Sequence, residues 1–214
     1  MNGYLLALAL AALPAVGNFA GGVLAELVRV SERTLSLALH AAAGIVLAVV
    51  AVELLPESFE SPPAWVVILM FVLGGALFMA VDAAIERFGR RDRANTPLTG
   101  EVAGGPWGVY FGVAVDLFSD GIMIGAGSTV SFGLGLLLAL GQVPADIPEG
   151  FATIATFRAQ GVSRRTRLSL SASFALIIFL GVTLGYWAVR AAPDVIKFAL
   201  LAFTAGILIT VAVE

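Results

Sequence analysis

Four carboxylates in this sequence stand where an unpaired charge is hard to keep. Asp116 and Asp120 lie in "VAVDLFSDGIMIG", and Asp146 and Glu149 lie in "QVPADIPEGF", both inside long apolar runs. On a helix the four-residue spacing puts Asp116 and Asp120 one turn apart on one face. The three-residue spacing does the same for Asp146 and Glu149, with Gln142 a turn before Asp146. Neither stretch contains Lys or Arg. A charge at the centre of a bilayer costs at least ~2.5–3.5 kcal/mol on insertion scales, so such a cluster needs compensation. It can hold protons, because burial and mutual repulsion disfavour the ionised form, or it can bind cations. Hard divalent ions take carboxylate oxygens, and zinc accepts them too. Pro144 and Pro148 flank these acids and are expected to interrupt their helix, each removing a donor and freeing a carbonyl one turn earlier. Interrupted helices with freed carbonyls are a means by which transporters coordinate cations. Gly121, Gly125, Gly127 and Gly150 would let the two acidic faces approach closely.

The elements that must carry these residues follow from composition. Of 214 residues, 59% are hydrophobic and 13% charged, where soluble domains average about 25% charged residues. Mean hydropathy is +0.99. This excludes an ordinary soluble domain and predicts an all-α, polytopic membrane helix bundle, a single transmembrane domain over residues 1–214 in contact with the lipid bilayer. Seven apolar segments are visible, at residues 3–28, 37–59, 64–85, 107–130, 132–159, 168–189 and 194–214. The first, without a basic flank or a clear cleavage site, reads as a retained span. Residues 87–106 read as a flexible polar loop between spans three and four. There is no Cys, so thiolate ligands are excluded.

Orientation comes from the basic residues. With the N-terminus outside, the cytoplasmic connections hold Arg29, Arg33, Arg87, Arg90, Arg91, Arg93, Arg158, Arg164, Arg165 and Arg167, against only Arg190 and Lys197 on the other side. A multi-pass protein of the cell membrane, N-terminus outside and loop 87–106 cytoplasmic, is expected. An internal echo adds to this. "HAAAGIVLAVVAVELLPE" in span two is partly repeated by "FTAGILITVAVE" in span seven. Two similar segments that cross in opposite directions are the sign of an inverted repeat. The sequence ends within the seventh apolar run, which leaves room for one further span.

The remaining acids, among them Glu26, Glu57 and Asp82, are expected at loops and span ends; Glu53 lies deeper, near the outer end of span two. His40, the chain's one histidine, falls at the inner start of that span and reads first as an interfacial or packing residue, second as a ligand on an exit path.

"DLFSDGIMIGAG" and "ADIPEGFATIATFRAQGVSRR" resemble the paired "HNxPEG" and "HExPEG" signatures of the ZIP (Zrt/Irt-like) metal transporters. "AAAGIVLAVVAVELLPE" resembles that family's second span and "FTAGILITVAVE" its seventh. The resemblance implies eight spans, of which the last is missing here, and a binuclear site between spans four and five. Asp116 stands where the family usually has His, Asp120 where it has Glu, and Glu149 matches the Glu of "PEG"; Asp146 matches the acidic second position, and Glu214 resembles the span-seven acid of some members. Leu117, Ser119 and Ala145 depart from the usual Asn, Pro and first span-five ligand. The expected metal ligands are therefore Asp116, Asp120, Asp146, Glu149 and Glu214, with Gln142, Ser119, Glu53 and His40 as auxiliaries.

The function expected is import of divalent metal (Zn, Fe, Mn, Cd or Mg) into the cytoplasm, the metal being substrate rather than cofactor, with no enzymatic activity and no nucleic-acid partner. A homodimer is compatible with this. Oxygen-only ligands shift preference away from zinc toward manganese, ferrous iron or magnesium. Two alternatives differ in kind. One is a degenerate, non-transporting metal-binding paralogue, motivated by the lost His, Asn and Pro. The other is an intramembrane aspartyl protease, whose "YD" and "GxGD" pair this chain lacks.

Overall fold

The computed structural model describes residues 3–28, 31–93 and 105–213. All regular structure among them is helical. In chain order the helices are α1 (Gly3–Leu27), α2 (Glu32–Val49, continuing through a π-helical turn Val50–Leu54 into Leu55–Ser58), α3 (Ala64–Arg93), α4 (Gly105–Val130), α5 (Phe132–Ala159), α6 (Arg164–Val189) and α7 (Asp194–Val213). Helix α3 runs past the expected end of its span, because Glu86 to Arg93 contains no Pro and several good helix formers. The expected loop therefore begins later. Residues 94–104 of it, and Glu214, lie outside the described residues.

Local signals fix the connections. Ser31, Ser131 and Ser163 cap α2, α5 and α6, each accepting a hydrogen bond from the backbone N–H three residues on. Gly161, at φ 75°, ends α5. The Val162 N–H donates to the Phe157 carbonyl and the Gly161 N–H to that of Arg158, the paired bonds of a left-handed C-terminal cap.

Among the described residues six helices are long and apolar enough to cross a membrane; α5, at 28 residues, has the length, but Gln142, Asp146, Glu149 and two prolines dilute its hydropathy. Side chains such as Leu5, Val16, Ile68, Val72, Leu176 and Leu180 face outward, as a lipid-contacting belt requires. Trp65, Trp107 and Trp187 are exposed near helix ends, where amphipathic rings sit at headgroup level. The Arg190 guanidinium lies 4.1 Å above the Trp187 ring.

Glycines set the helix spacing. A Cβ at Gly150 would come within 2.1 Å of the Asn18 carbonyl oxygen, and one at Gly21 within 1.9 Å of that of Ile147, so α1 and α5 touch backbone to backbone. Gly121, Gly125, Gly181 and Gly185 do the same for α4 and α6, and Gly74 and Gly206 for α3 and α7. The pattern is two-fold. Helix α1 packs on α5 as α6 packs on α4, and α2 packs on α5 as α7 packs on α4. Exchanging α1 with α6, α2 with α7 and α4 with α5 reproduces these contacts, a pairing compatible with the repeat expected from the echo between spans two and seven.

Glu26 is not simply a solvated end charge. Its side chain is 5% exposed and accepts from Arg167 Nε at 2.5 Å and Nη2 at 2.8 Å, tying the end of α1 to the start of α6. Arg158 reinforces the same corner by donating to the Ala25 carbonyl at 3.1 Å.

A Gly150→Ala substitution should destabilise the bundle by about 1–3 kcal/mol, since the added methyl meets rigid backbone. Gly112→Ala, with nothing within 4 Å, should be neutral or slightly stabilising. Thermal melting of the two variants in detergent, followed by circular dichroism, checks this; equal melting temperatures would contradict the close packing.

Candidate metal centre

The acidic residues converge where α4 and α5 cross. On α5, Gln142, Asp146, Glu149 and Thr153 repeat at helical spacing along one stripe, and α4 presents Asp116 and Asp120 to it. Helix α5 is continuous through Pro144 and Pro148; the expected interruption does not occur. Packing on α1 and α4 braces the helix through both positions, and the prolines withdraw the N–H groups that would have bonded the carbonyls of Leu140 and Pro144.

Asp120 is 3% exposed and accepts a short hydrogen bond from the Gln142 side-chain amide. The carboxyl groups of Asp116 and Glu149 both line the cavity and face each other across the seam. Glu149 also accepts from Asn18 Nδ2 at 3.4 Å. Asp146 is 1% exposed. Three buried oxygens here have no partner: Asp116 Oδ1, Asp146 Oδ2 and Asn18 Oδ1. The ion pairs among the described residues involve only Glu26, Asp194 and their basic neighbours, so none of the four acids is neutralised by Lys or Arg. Among the described residues the acids approach pairwise, and no three His, Asp or Glu groups already stand at ligating separation.

A cavity of about 460 Å³ leads to the cluster. Asp116, Asp120, Gln142, Ala145 and Glu149 line its deep end; the first half of α2, from Leu39 to Val46, and the end of α7, from Leu208 to Val213, form its walls. Beyond Gln142 the way is shut by Val46, Val49, Met123, Leu138 and Leu208, which leave a void of only about 10 Å³. That is space for no more than about one water. Among the described residues the site is open at one end of the bundle and closely packed beyond Gln142.

The expected residues divide accordingly. Asp116, Asp120, Glu149 and Gln142 meet at the cavity, and Asp146 lies buried in the same cluster, outside the cavity wall. Ser119 is buried but does not line the cavity, and Glu53 is half-buried in the π-helical turn of α2, also away from it. Glu214 lies outside the described residues. His40 lines the cavity mouth, and its Nδ1 is 2.7 Å from the Ser36 carbonyl oxygen. A carbonyl only accepts, so Nδ1 carries the proton and Nε2 keeps its lone pair in the neutral ring. Asn18 was not among the expected residues. Its one sequence signal is that it is the sole amide in the apolar run of α1, set between Gly17 and Gly21 in "GNFAGG".

The sequence profile of the ZIP zinc transporter family matches residues 92–214, more than half of the chain, and includes both acidic segments. The chain belongs to this family. Among curated proteins, none matches it. ZIP membership makes the chain a multi-pass membrane protein of a divalent-metal transporter family, and the buried acids agree in kind with metal as its substrate.

The absence of native Cys makes the cavity testable directly. Ala43→Cys and Ala212→Cys, on the cavity wall, should react readily with a charged methanethiosulfonate reagent, whereas Ile124→Cys, fully buried beyond the seal, should not. Equal labelling of all three would show that the cavity is not the water-filled approach.

Proposed function

We propose that the chain carries divalent cations across the membrane through the carboxylate cluster between α4 and α5 and delivers them to the cytoplasm. The observation that carries this reading is the cavity that ends on Asp116, Asp120 and Glu149, none of which pairs with Lys or Arg among the described residues. Four carboxylates bring a formal charge of −4, which two divalent cations neutralise. Glu149, facing Asp116 and within the same cluster as Asp120 and Asp146, is the natural bridge between two ions. An arriving cation draws the pairwise-arranged oxygens inward; Asp120 leaves the Gln142 amide, whose carbonyl end can then serve as a neutral ligand. Glu214, next after the cavity-lining Val213, and Ser119 and Glu53 are secondary candidates.

Direction rests on two observations. The arginine-rich connections mark the cytoplasmic side, and the cavity opens at the end of the bundle where α2 begins beside Arg33, with His40 at its mouth. The N-terminus is then outside and the structure faces inward, in a cell-membrane protein compatible with a homodimer. The oxygen donors favour manganese, ferrous iron or magnesium over what a histidine-rich site would select.

In proteoliposomes with a metal-sensitive dye inside, Mn²⁺ and Zn²⁺ uptake should be saturable, and Asp120→Asn and Glu149→Gln should each slow it at least about tenfold, the scale of losing one charged ligand or its support. Undiminished uptake in both variants would overturn the assignment. Ala145→His, which places an imidazole on the cavity wall, should raise the Zn²⁺-to-Mn²⁺ uptake ratio; an unchanged ratio would argue against Ala145 facing the bound ion.

A further inference from the structure

Asn18 is the one polar side chain that α1 contributes to the acidic cluster among the described residues, and nothing about packing requires it. It is 1% exposed. Its backbone is pressed against Gly150, immediately after Glu149, so closely that a methyl at Gly150 would overlap the Asn18 carbonyl. The side chain therefore has a fixed base beside Glu149. One end of the amide is used, Nδ2 donating to Glu149 Oε2 at 3.4 Å; the other end, Oδ1, is buried with no partner. An unpaired buried carbonyl is costly and rare, and here it shares the cluster with two further partnerless oxygens, on Asp116 and Asp146.

We infer that Asn18 Oδ1 is a neutral ligand for a divalent cation held by Glu149, brought to bear by a half turn of the amide. This rests on the cation-transport reading of the cluster. A carboxamide has a donor end and an acceptor end on one rotatable bond. Without a cation, the donor end must face Glu149, because its acceptor end would meet negative charge. With a cation beside Glu149, the preference reverses: the N–H groups would be repelled, and the carbonyl oxygen satisfies a hard ion. One residue thus meets the needs of the empty and the loaded site. It also extends the site from two helices to three. The ion it selects for is one that accepts neutral oxygen ligands beside carboxylates, such as manganese or magnesium.

Three variants of the full chain test this: Asn18→Leu, of similar volume with no polar atom; Asn18→Ala, should the leucine protein fail to elute as a single species; and Asn18→Asp, which keeps an oxygen and loses the donor. Mn²⁺ binding to purified protein, followed by loss of the free-ion electron paramagnetic resonance signal, and Mn²⁺ uptake into proteoliposomes are both measured. Asn18→Leu or Asn18→Ala should weaken binding and raise half-saturation by about ten- to a hundredfold, while Asn18→Asp stays within a few-fold of the native chain. If the leucine or alanine variant binds Mn²⁺ like the native chain, Asn18 is not a ligand. If Asn18→Asp is as weak as Asn18→Leu, only the donor to Glu149 matters and the inference falls. Native protein that shows no saturable Mn²⁺ binding or uptake, or a Glu149→Gln variant that retains both, overturns the transport reading itself, a result separate from either outcome at Asn18.

Discussion

Asp116 faces Glu149 across the seam between α4 and α5, with Asp120 and Asp146 in the same cluster and, among the described residues, no Lys or Arg paired with any of them. Two like charges 4 Å apart repel by about 4 kcal/mol at an effective dielectric of 20, and lipid offers less relief than water. Such a seam cannot hold itself together. The surrounding helices do so from outside. Helix α1 grips α5 through Gly21 and Gly150, and α6 grips α4 through four glycines. The Glu26–Arg167 pair closes α1 onto α6. These four helices hold one another by close glycine contacts and the ion pair, and the acids are kept together by packing that a repulsive seam would otherwise open.

Because the grip is made by glycine, it is rigid where it touches and leaves little freedom to adjust. A carbonyl pressed on a Cα has no rotamer to change. Contacts of α2 and α7 with these helices are of another kind: they pass along the cavity, which stands between the first half of α2, the end of α7 and the acids. The only helical irregularity among the described residues, the π-helical turn at Val50–Leu54, lies on α2 as well. Strong packing thus surrounds the acids on one side and a water-accessible opening on the other. Access to the cluster can then vary without disturbing the geometry within it.

How much of this was legible in the sequence depended on the range of the interaction involved. The helices, their connections and the pairing of Asp116 with Asp120 and of Asp146 with Glu149 are local, fixed by hydropathy and helical periodicity. The convergence of the two pairs could be expected because a shared chemistry demanded it. What escaped was decided by tertiary contact. Pro144 and Pro148 look like breaks, yet α5 is continuous because α1 and α4 brace it. Glu26 looks like an interfacial charge until α6 brings Arg167 to it from far along the chain. Asn18 stands far from both acidic motifs in the sequence, and only the Gly150 contact reveals that it belongs with them. Ser119 and Glu53 show the converse, since sequence proximity to an acid or to a conspicuous span does not by itself bring a side chain to the cavity wall.

The replacement of histidine by carboxylate bears on how such a site could work. Oxygen ligands do not by themselves reverse the usual order of affinities, in which zinc outranks manganese at a given donor set. They remove the added advantage that imidazole gives zinc and supply more donor atoms than a tetrahedral ion uses. In the proposed site Gln142 and Asn18 would add neutral oxygens without adding charge, so coordination number can rise while repulsion does not. Translocation also requires that an ion be held firmly enough to enter and loosely enough to leave. In the proposed role, release is helped by the very feature that makes the empty site costly. Asp120 has the Gln142 amide to return to, and Glu149 has the Asn18 amide, so each carboxylate losing its ion regains a hydrogen-bond donor. The amides lower the energy of the unloaded cluster without competing for the cation on equal terms, and a site without histidine can then exchange its cargo rather than trap it.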